Sequence, residues 1–433
     1  MISPSTLLLA LGAALLGLAL NALRPLRWPG VVSAASFFAG WLTDELAPHQ
    51  LVVQVALVAG LVALGGLAQP AGWAGLALAG LAWVGLGLSL RRSRQAGPRL
   101  DQALREGLGD DYLERTGAAW RRSDGWRVDW GRVARVLPRR GRSVEVTRDL
   151  VFASPGGVPL RLDVYRRRGA SGPAPTLIFV HGGGWVSGDK RAQGLLTVHR
   201  LAARGWTCLN INYRLSPGAT FPAHLIDVKQ AIRWARQEGL AHGCDPAFIA
   251  LAGGSAGAHL ASLAALTPDR PVYQPGFEPV DTSVQACVAY YGVFDFTDRH
   301  RHWPHRAFKL LLSWLVMKTS LDDDRALYDE ASPIAQVSDR APPFLVLHGD
   351  RDTLAPVEEG RAFVRALRSV SRAPVVYAEL PGAQHAFEIL PSVRSTVAVA
   401  AVERFLAYTY SEHRRQAGLL DAPPPVDRGR VDR

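Results

Sequence analysis

Five residues near the middle of this chain restrict its fold more than any other feature: Gly253-Gly254-Ser255-Ala256-Gly257. An apolar run, Phe248 to Leu251, precedes them, and a helix-favouring stretch, Ala256 to Leu266, follows. A serine between a buried strand and a helix must sit on a sharp turn with strained backbone angles, and side chains at the flanking positions would strike the neighbouring elements. Gly-x-Ser-x-Gly in that context reads as a nucleophile elbow, with Ser255 exposed at the end of a strand. Taken alone, the pentapeptide is equally compatible with a small-residue turn. Its meaning depends on partners elsewhere in the chain.

Those partners follow buried strands. Val144 to Phe152 and Pro159 to Tyr165 alternate apolar and polar residues around Pro155-Gly156-Gly157 and predict an antiparallel hairpin. Beyond it, apolar strands alternate with helices: strands at Thr176–Val180, Thr207–Asn212, Ala286–Tyr291, Pro343–Leu347 and Pro374–Leu380, with helices at Lys190–Arg204, Ala223–Gln237, Val357–Val370 and Val393–Tyr410. This alternation predicts a mostly parallel sheet covered by helices on both faces, whose ligands sit at the carboxyl ends of the strands. At one such end stands His181-Gly182-Gly183-Gly184-Trp185. Consecutive glycines let main-chain N–H groups turn toward a developing oxyanion, each contributing ~3–4 kcal/mol. Gly183 and Gly184, with the amide of Ala256, are the candidate donors, and His181 is the candidate brace of the loop. Two carboxylates, Asp350 and Asp352, follow the strand that ends at Leu347, and spacing does not choose between them. His385, in the loop after the last strand, is the candidate base. The order Ser, Asp, His is that of the α/β-hydrolases. His259, one turn past the serine, reads as a helix residue.

These motifs resemble those of the α/β-hydrolase carboxylesterases, specifically the hormone-sensitive-lipase-like bacterial esterases and their feruloyl-esterase-like relatives. The resemblance spans about residues 145–410 and rests on HGGGW at 181–185, YRLSP at 213–217, FPAHLIDVKQAIRW at 221–234, GGSAG at 253–257, HGDRD at 348–352 and the His385 loop. It implies a Ser255–Asp352–His385 triad, since the last residue of H-G-x-x-D is the acid in this family, and structural roles for Asp227 and Trp234. Gly254 departs from the pattern, since many hormone-sensitive-lipase-like members carry Asp there. The implied activity is serine carboxylester hydrolysis through an acyl-enzyme, without metal or cofactor. An amidase such as an arylformamidase could use the same residues, and a silent membrane-tethered binding protein is the alternative of another class.

The chain has 433 residues, and its amino-terminal part lies outside that resemblance. Leu7–Leu23, Leu51–Leu67 and Gly72–Leu90 are each close to the ~20 apolar residues that cross hydrocarbon. Arg24, Arg27 and the Arg91–Arg94 cluster flank them. Val31–Leu42 is shorter, contains Ser33 and Ser36, and runs into Thr43-Asp44-Glu45, as a fourth crossing, a re-entrant piece or an interfacial helix would. Three crossings place both basic clusters inside, so the positive-inside rule favours three and a cytoplasmic catalytic domain. The expected organisation is a multi-pass membrane anchor over 1–94, an amphipathic basic linker over 95–143, an α/β-hydrolase domain over 144–412 with a cap insert at 295–339, and a disordered tail over 413–433. Trp120, Trp126 and Trp130 in the linker suit either an interfacial belt or packing on the hydrolase.

A net charge of +11 could suggest nucleic acid, but no recognition helix or aromatic-interleaved basic strand is present. Arginines near apolar segments suit lipid headgroups instead. Membrane lipids and an apolar or lipid-like ester are therefore the expected partners, and nucleic acid is not. Cys208, Cys244 and Cys287 are odd in number and are not spaced as a zinc site or a redox pair, and Cys208 and Cys287 lie in apolar runs as core thiols would. Within the insert, Ala307–Met317 is strongly apolar. Leu310, Leu311, Trp314 and Leu315 are expected to line an acyl pocket, touch the membrane or pack the cap. His300, His302 and His305 have H-x-H spacing but no carboxylate or cysteine to complete a metal site.

Overall fold

The computed structural model describes residues 2–26, 31–121, 126–135, 143–268, 270–303 and 306–419. Eight strands form one sheet: β1 (Val144–Ala153), β2 (Leu160–Arg167), β3 (Ala174–Val180), β4 (Thr207–Ile211), β5 (Cys244–Gly254), β6 (Ala286–Tyr290), β7 (Phe344–Gly349) and β8 (Val375–Leu380). Their order is β1-β2-β4-β3-β5-β6-β7-β8, antiparallel at the β1–β2 and β2–β4 pairings and parallel throughout the rest. Residues of β3 alternate between two cores. Ile178 and Val180 join one, and Leu177 and Phe179 the other. A strand buried on both faces can therefore be apolar throughout, which is why no period-2 pattern marks it in the sequence.

The longer helices are α1 (Pro4–Leu23), α2 (Val31–Glu45), α3 (Ala47–Ala63), α4 (Pro70–Arg94), α5 (Ala96–Leu108), α6 (Leu195–Ala203), α7 (Ala223–Gln237), α8 (Ala256–Leu266), α9 (Val357–Val370) and α10 (Val393–Gln416). Helices α7, α8 and α9 cover the first face of the sheet, and α5, α6 and α10 the second. The expected helix over Lys190–Arg204 begins only at Leu195. Side chains from the neighbouring strand-and-loop tie down the residues before it: Asn212 Oδ1 accepts the Lys190 N–H at 2.6 Å, and Asn210 Nδ2 donates to the Lys190 carbonyl at 2.7 Å. Helix α10 runs on to Gln416, so the first residues assigned to a tail are helical. The rest of that tail, from 420 onward, lies outside the described residues.

The segment between the apolar helices and β1 is folded onto the sheet. Leu100, Leu104 and Leu108 of α5 are buried in the second core, and Trp120 packs edge-on against Trp206 and Tyr410. Arg404 lies 4.2 Å over the Trp126 ring, while Trp130 is largely exposed with Arg94 above it. All three cysteines are buried thiols.

At the amino terminus, α1 and the helix that contains α4 are long and apolar enough to cross a membrane. The α2–α3 pair passes the same test only when counted together, across a bend of 91°. The run expected from Leu51 to Leu67 starts its helix earlier and ends it at Ala63, with Gly65 in a left-handed turn at φ +87°. Helices α1 and α4 approach at small residues, where a Cβ on Gly12 would sit 2.2 Å from the Gly75 carbonyl oxygen. Helix α2 stays on this group, where Asn21 Nδ2 donates to the Ser36 carbonyl at 2.7 Å and Ser36 Oγ donates to Asn21 Oδ1 at 2.6 Å, and also reaches the sheet domain, with Phe37 buried in the second core.

Candidate active site

Ser255 sits at the turn between β5 and α8 with φ +56° and ψ −122°, a conformation that costs a non-glycine residue of order 1–3 kcal/mol. Its N–H donates to the Tyr290 carbonyl at 3.0 Å, which holds the turn on β6. The following helix crosses β3 so closely that a Cβ on Gly257 would lie 2.1 Å from the Val180 oxygen.

The His181–Gly184 loop follows β3. Gly183 has φ +118°, and a Cβ there would lie 2.0 Å from the Ser187 oxygen, so only glycine fits. Leu311 of the insert packs above Gly184, 3.8 Å from where its Cβ would stand. His181 is buried, stacks on Tyr213 at 4.5 Å between ring centres, and its Nδ1 lies 2.7 Å from the Gly182 carbonyl. Burial pushes its pKa down. Ala256, at the first turn of α8, is fully buried beside the serine.

His385 Nδ1 lies 2.6 Å from Asp352 Oδ2. Asp352 Oδ1 accepts the N–H groups of Leu354 and Ala355, each at 2.8 Å, and His348 Nε2 stands 3.4 Å from Oδ2. Burial alone would raise this carboxyl, but the charge and hydrogen bonding of His385 and His348 hold it well below the usual carboxylate range. Asp350, the competing carboxylate, instead accepts the Gly382 N–H at 2.7 Å. Among the described residues, His385 has two aromatic neighbours, Tyr291 at 4.3 Å and Phe37 at 6.2 Å between ring centres.

The histidine after the serine is occupied structurally. His259 Nδ1 accepts from the Trp185 indole at 3.1 Å, and Nε2 pairs with the Ala331 carbonyl at 2.7 Å. Asp227 accepts the Arg214 N–H and guanidinium, and Trp234 stacks on His242. In the insert, Phe308, Leu312 and Val316 point inward at helical spacing, whereas Leu310 and Trp314 face outward. Arg306–Leu311 is an α-helix that widens to a π-turn over Leu312–Val316. His302 faces Glu359 at 3.7 Å and stacks near His300, and His305 lies outside the described residues. Among the described residues no group of three His, Cys, Asp or Glu could hold a metal ion.

Sequence reasoning missed a buried polar network behind the site. Gln193 Oε1 accepts the Gly182 N–H, and its Nε2 donates to Tyr291 Oη at 2.8 Å and Glu388 Oε1 at 2.9 Å. Tyr291 Oη donates in turn to Glu388. Burial lifts the Glu388 carboxyl against the hydrogen bonds from Tyr291 and Gln193. One side chain thus joins the glycine loop to the His385 loop. The only signal in the sequence is Gly254: a Cβ there would lie 2.3 Å from Gln193 Nε2, so the departure from Asp makes room for the glutamine.

The BD-FAE family model matches residues 162–367. The probable carboxylic ester hydrolase LipM of Mycobacterium tuberculosis is 42% identical over 402 residues, 90% of each chain. Esterase LipQ of the same organism is 45% identical over 283 residues, 64% of this chain and 66% of its own. Among solved structures, Thermogutta terrifontis esterase 2 phosphonylated by sarin is 26% identical with a TM-score of 0.51, covering 66% of this chain and 99% of its own.

Proposed function

This chain belongs to the α/β-hydrolase esterase family of LipM and LipQ and is a carboxylic ester hydrolase, and from that premise we propose that it cleaves apolar, lipid-like esters with a Ser255–His385–Asp352 triad while anchored in a membrane. The observation that carries this reading is the 2.6 Å pairing of His385 Nδ1 with a buried carboxylate, while Ser255 stands on a strained elbow held by the Tyr290 carbonyl, one residue before the Tyr291 ring that meets His385. With Nδ1–H given to Asp352, the Nε2 of His385 is the nitrogen left to take the Ser255 proton. Ser255 Oγ then attacks the ester carbonyl. The amides of Gly183, Gly184 and Ala256 stabilise the oxyanion, the alkoxide leaves with the proton from His385, and an acyl-enzyme forms. Water, deprotonated by His385, releases the acid and restores the serine.

The membrane part of the reading rests on three helices, α1, α3 and α4, whose exposed faces carry large apolar residues such as Leu20, Val52, Leu57, Leu81 and Val84. The carboxyl ends of α1 and α4 both lie by the sheet domain: Arg351 of the sheet domain and Arg92 of α4 both donate to the Leu23 carbonyl. Three crossings, with α2 along the interface, put Arg24 and Arg91–Arg94 on the catalytic side, which is cytoplasmic by the positive-inside rule. Apolar Leu310 and Trp314 on the insert suit the same lipid surface.

p-Nitrophenyl esters of increasing chain length, hydrolysed by wild type and Ser255→Ala, test the reading. Activity that rises beyond butyrate and vanishes with the serine is the expected result. The solved relative that carries a sarin phosphonyl group makes fluorophosphonate labelling a direct probe. Labelling that survives Ser255→Ala would overturn the assignment, and faster turnover of matched anilides would replace esterase by amidase. Protease protection in sealed vesicles reads the side of the membrane.

A further inference from the structure

The amino-terminal segment reaches the reacting histidine. Along α2, Phe37 is 5% exposed and its ring meets His385 edge-on, at 6.2 Å and 72°. Trp41, one turn on, stacks on Phe37 at 10° between planes, and its indole N–H donates to the Ala386 carbonyl at 3.0 Å. Ala386 directly follows His385 and has φ +62°. At the end of the helix, Asp44 and Glu45 pair with buried Arg394, and Glu45 accepts from Ser392 Oγ at 2.6 Å. Helix α2 therefore grips the His385 loop at both ends, from outside the sheet domain.

We propose that this helix is a working wall of the active site, with Phe37 forming the apolar side of the subsite that holds the alcohol portion of the ester. The inference rests on the triad reading above. His385 must hand its proton to the departing alkoxide, so the alcohol lies along the imidazole, whereas the acyl chain extends from the oxyanion loop under Leu311. Of the two rings beside His385, Tyr291 is fully buried and tied to Gln193 and Glu388. Phe37 comes from the membrane-side segment, where an apolar alcohol arriving from lipid would enter. An edge of phenyl against that chain favours long alkyl or glycerolipid alcohols over methanol.

Two ester series on the full-length protein in detergent micelles separate the sides. One holds the acid at acetate and lengthens the alcohol from methyl to octyl. The other holds p-nitrophenol and lengthens the acid. Phe37→Ala is expected to collapse the octyl-to-methyl ratio of kcat/KM about tenfold, the order expected for lost apolar pocket contacts, and to leave the acyl-length profile in place. Phe37→Leu moves the ratio part of the way and keeps the proposal testable if the alanine variant does not fold. Phe38→Ala, on the exposed side of the same helix, leaves both series unchanged. An unchanged alcohol ratio in both Phe37 variants, or a shift confined to the acyl series, overturns the proposal. Loss of labelling-competent Ser255 in the wild type would instead overturn the triad reading.

Discussion

Replacing Arg394 with Met tests how α2 is held. Arg394 is fully buried, as are its partners, with Asp44 4% and Glu45 2% exposed. Its Nη1 lies 2.8 Å from Asp44 Oδ2 and contacts Glu45, and its Nη2 donates to the Pro381 carbonyl at 3.0 Å. Removing the cation strands two adjacent carboxylates in a dry interface, a change that costs about 3–5 kcal/mol. Two escapes lower the observed loss. A stranded carboxyl can take up a proton, and α2 can swing into solvent without unfolding the sheet domain. The lower value, ~3 kcal/mol, corresponds to about a 10²-fold rise in the open population of α2. Protease cleavage within residues 31–45 in detergent, under conditions where opening is fast, should accelerate by that factor. The triple variant Arg394→Met, Asp44→Asn, Glu45→Gln removes the charges together and should recover to within ~1 kcal/mol, since a neutral substitute for a buried ion pair is often nearly isoenergetic. Protection equal to wild type in Arg394→Met, or a triple variant no better than the single, refutes the view that this cluster docks the helix.

Asp352→Asn should lower kcat by about 10³–10⁴-fold through loss of the partner that orients His385, whereas Asp350→Asn, at a carboxylate that caps the Gly382 N–H and faces Arg351, should stay within about a few-fold in the same assay. Gln193→Leu leaves the Gly182 N–H, Tyr291 and Glu388 without their shared partner; kcat should fall about 10²-fold with KM nearly constant, because the adjoining Gly183 and Gly184 amides, the proposed oxyanion donors, shift. An equal rise in KM would show that the network shapes binding instead. Acid should destabilise the fold through His259, which burial lowers from 6.5 to about 3. Between those values the unfolded chain holds a proton that the folded chain does not, so stability falls as pH drops from 6.5; at pH 5 the loss is about 2 kcal/mol. Urea midpoints of wild type and His259→Gln at pH 7 and 5 measure it, and equal pH slopes for the two would remove His259 as the cause.

The strands and their order of motifs were legible because a buried parallel strand needs a continuous apolar run, and because the loop after β3 and the start of α8 admit only glycine at Gly183 and Gly257, where no side chain fits. The sequence also marked α1 and α4 by length and hydropathy. It left Asp350 and Asp352 unresolved without the family pattern, since both lie in one loop, and only the fold aims one of them at His385. Gln193, Tyr291 and Glu388 had no local signature. Each is an ordinary polar residue until three loops converge and exclude water from between them.

By itself, then, the amino-acid order marked most of the strands and helices, the long apolar helices α1 and α4, and the α/β-hydrolase esterase class, because these depend on periodicity, backbone sterics and side-chain type. Only the tertiary structure shows where α2 rests, against the His385 loop. In the sequence Val31–Leu42 reads as a fourth crossing, a re-entrant piece or an interfacial helix, and nothing there pairs the acidic residues that follow it with Arg394, some 350 positions away. A buried charge is tolerated only beside its opposite, and nothing local in the chain records where that opposite will be.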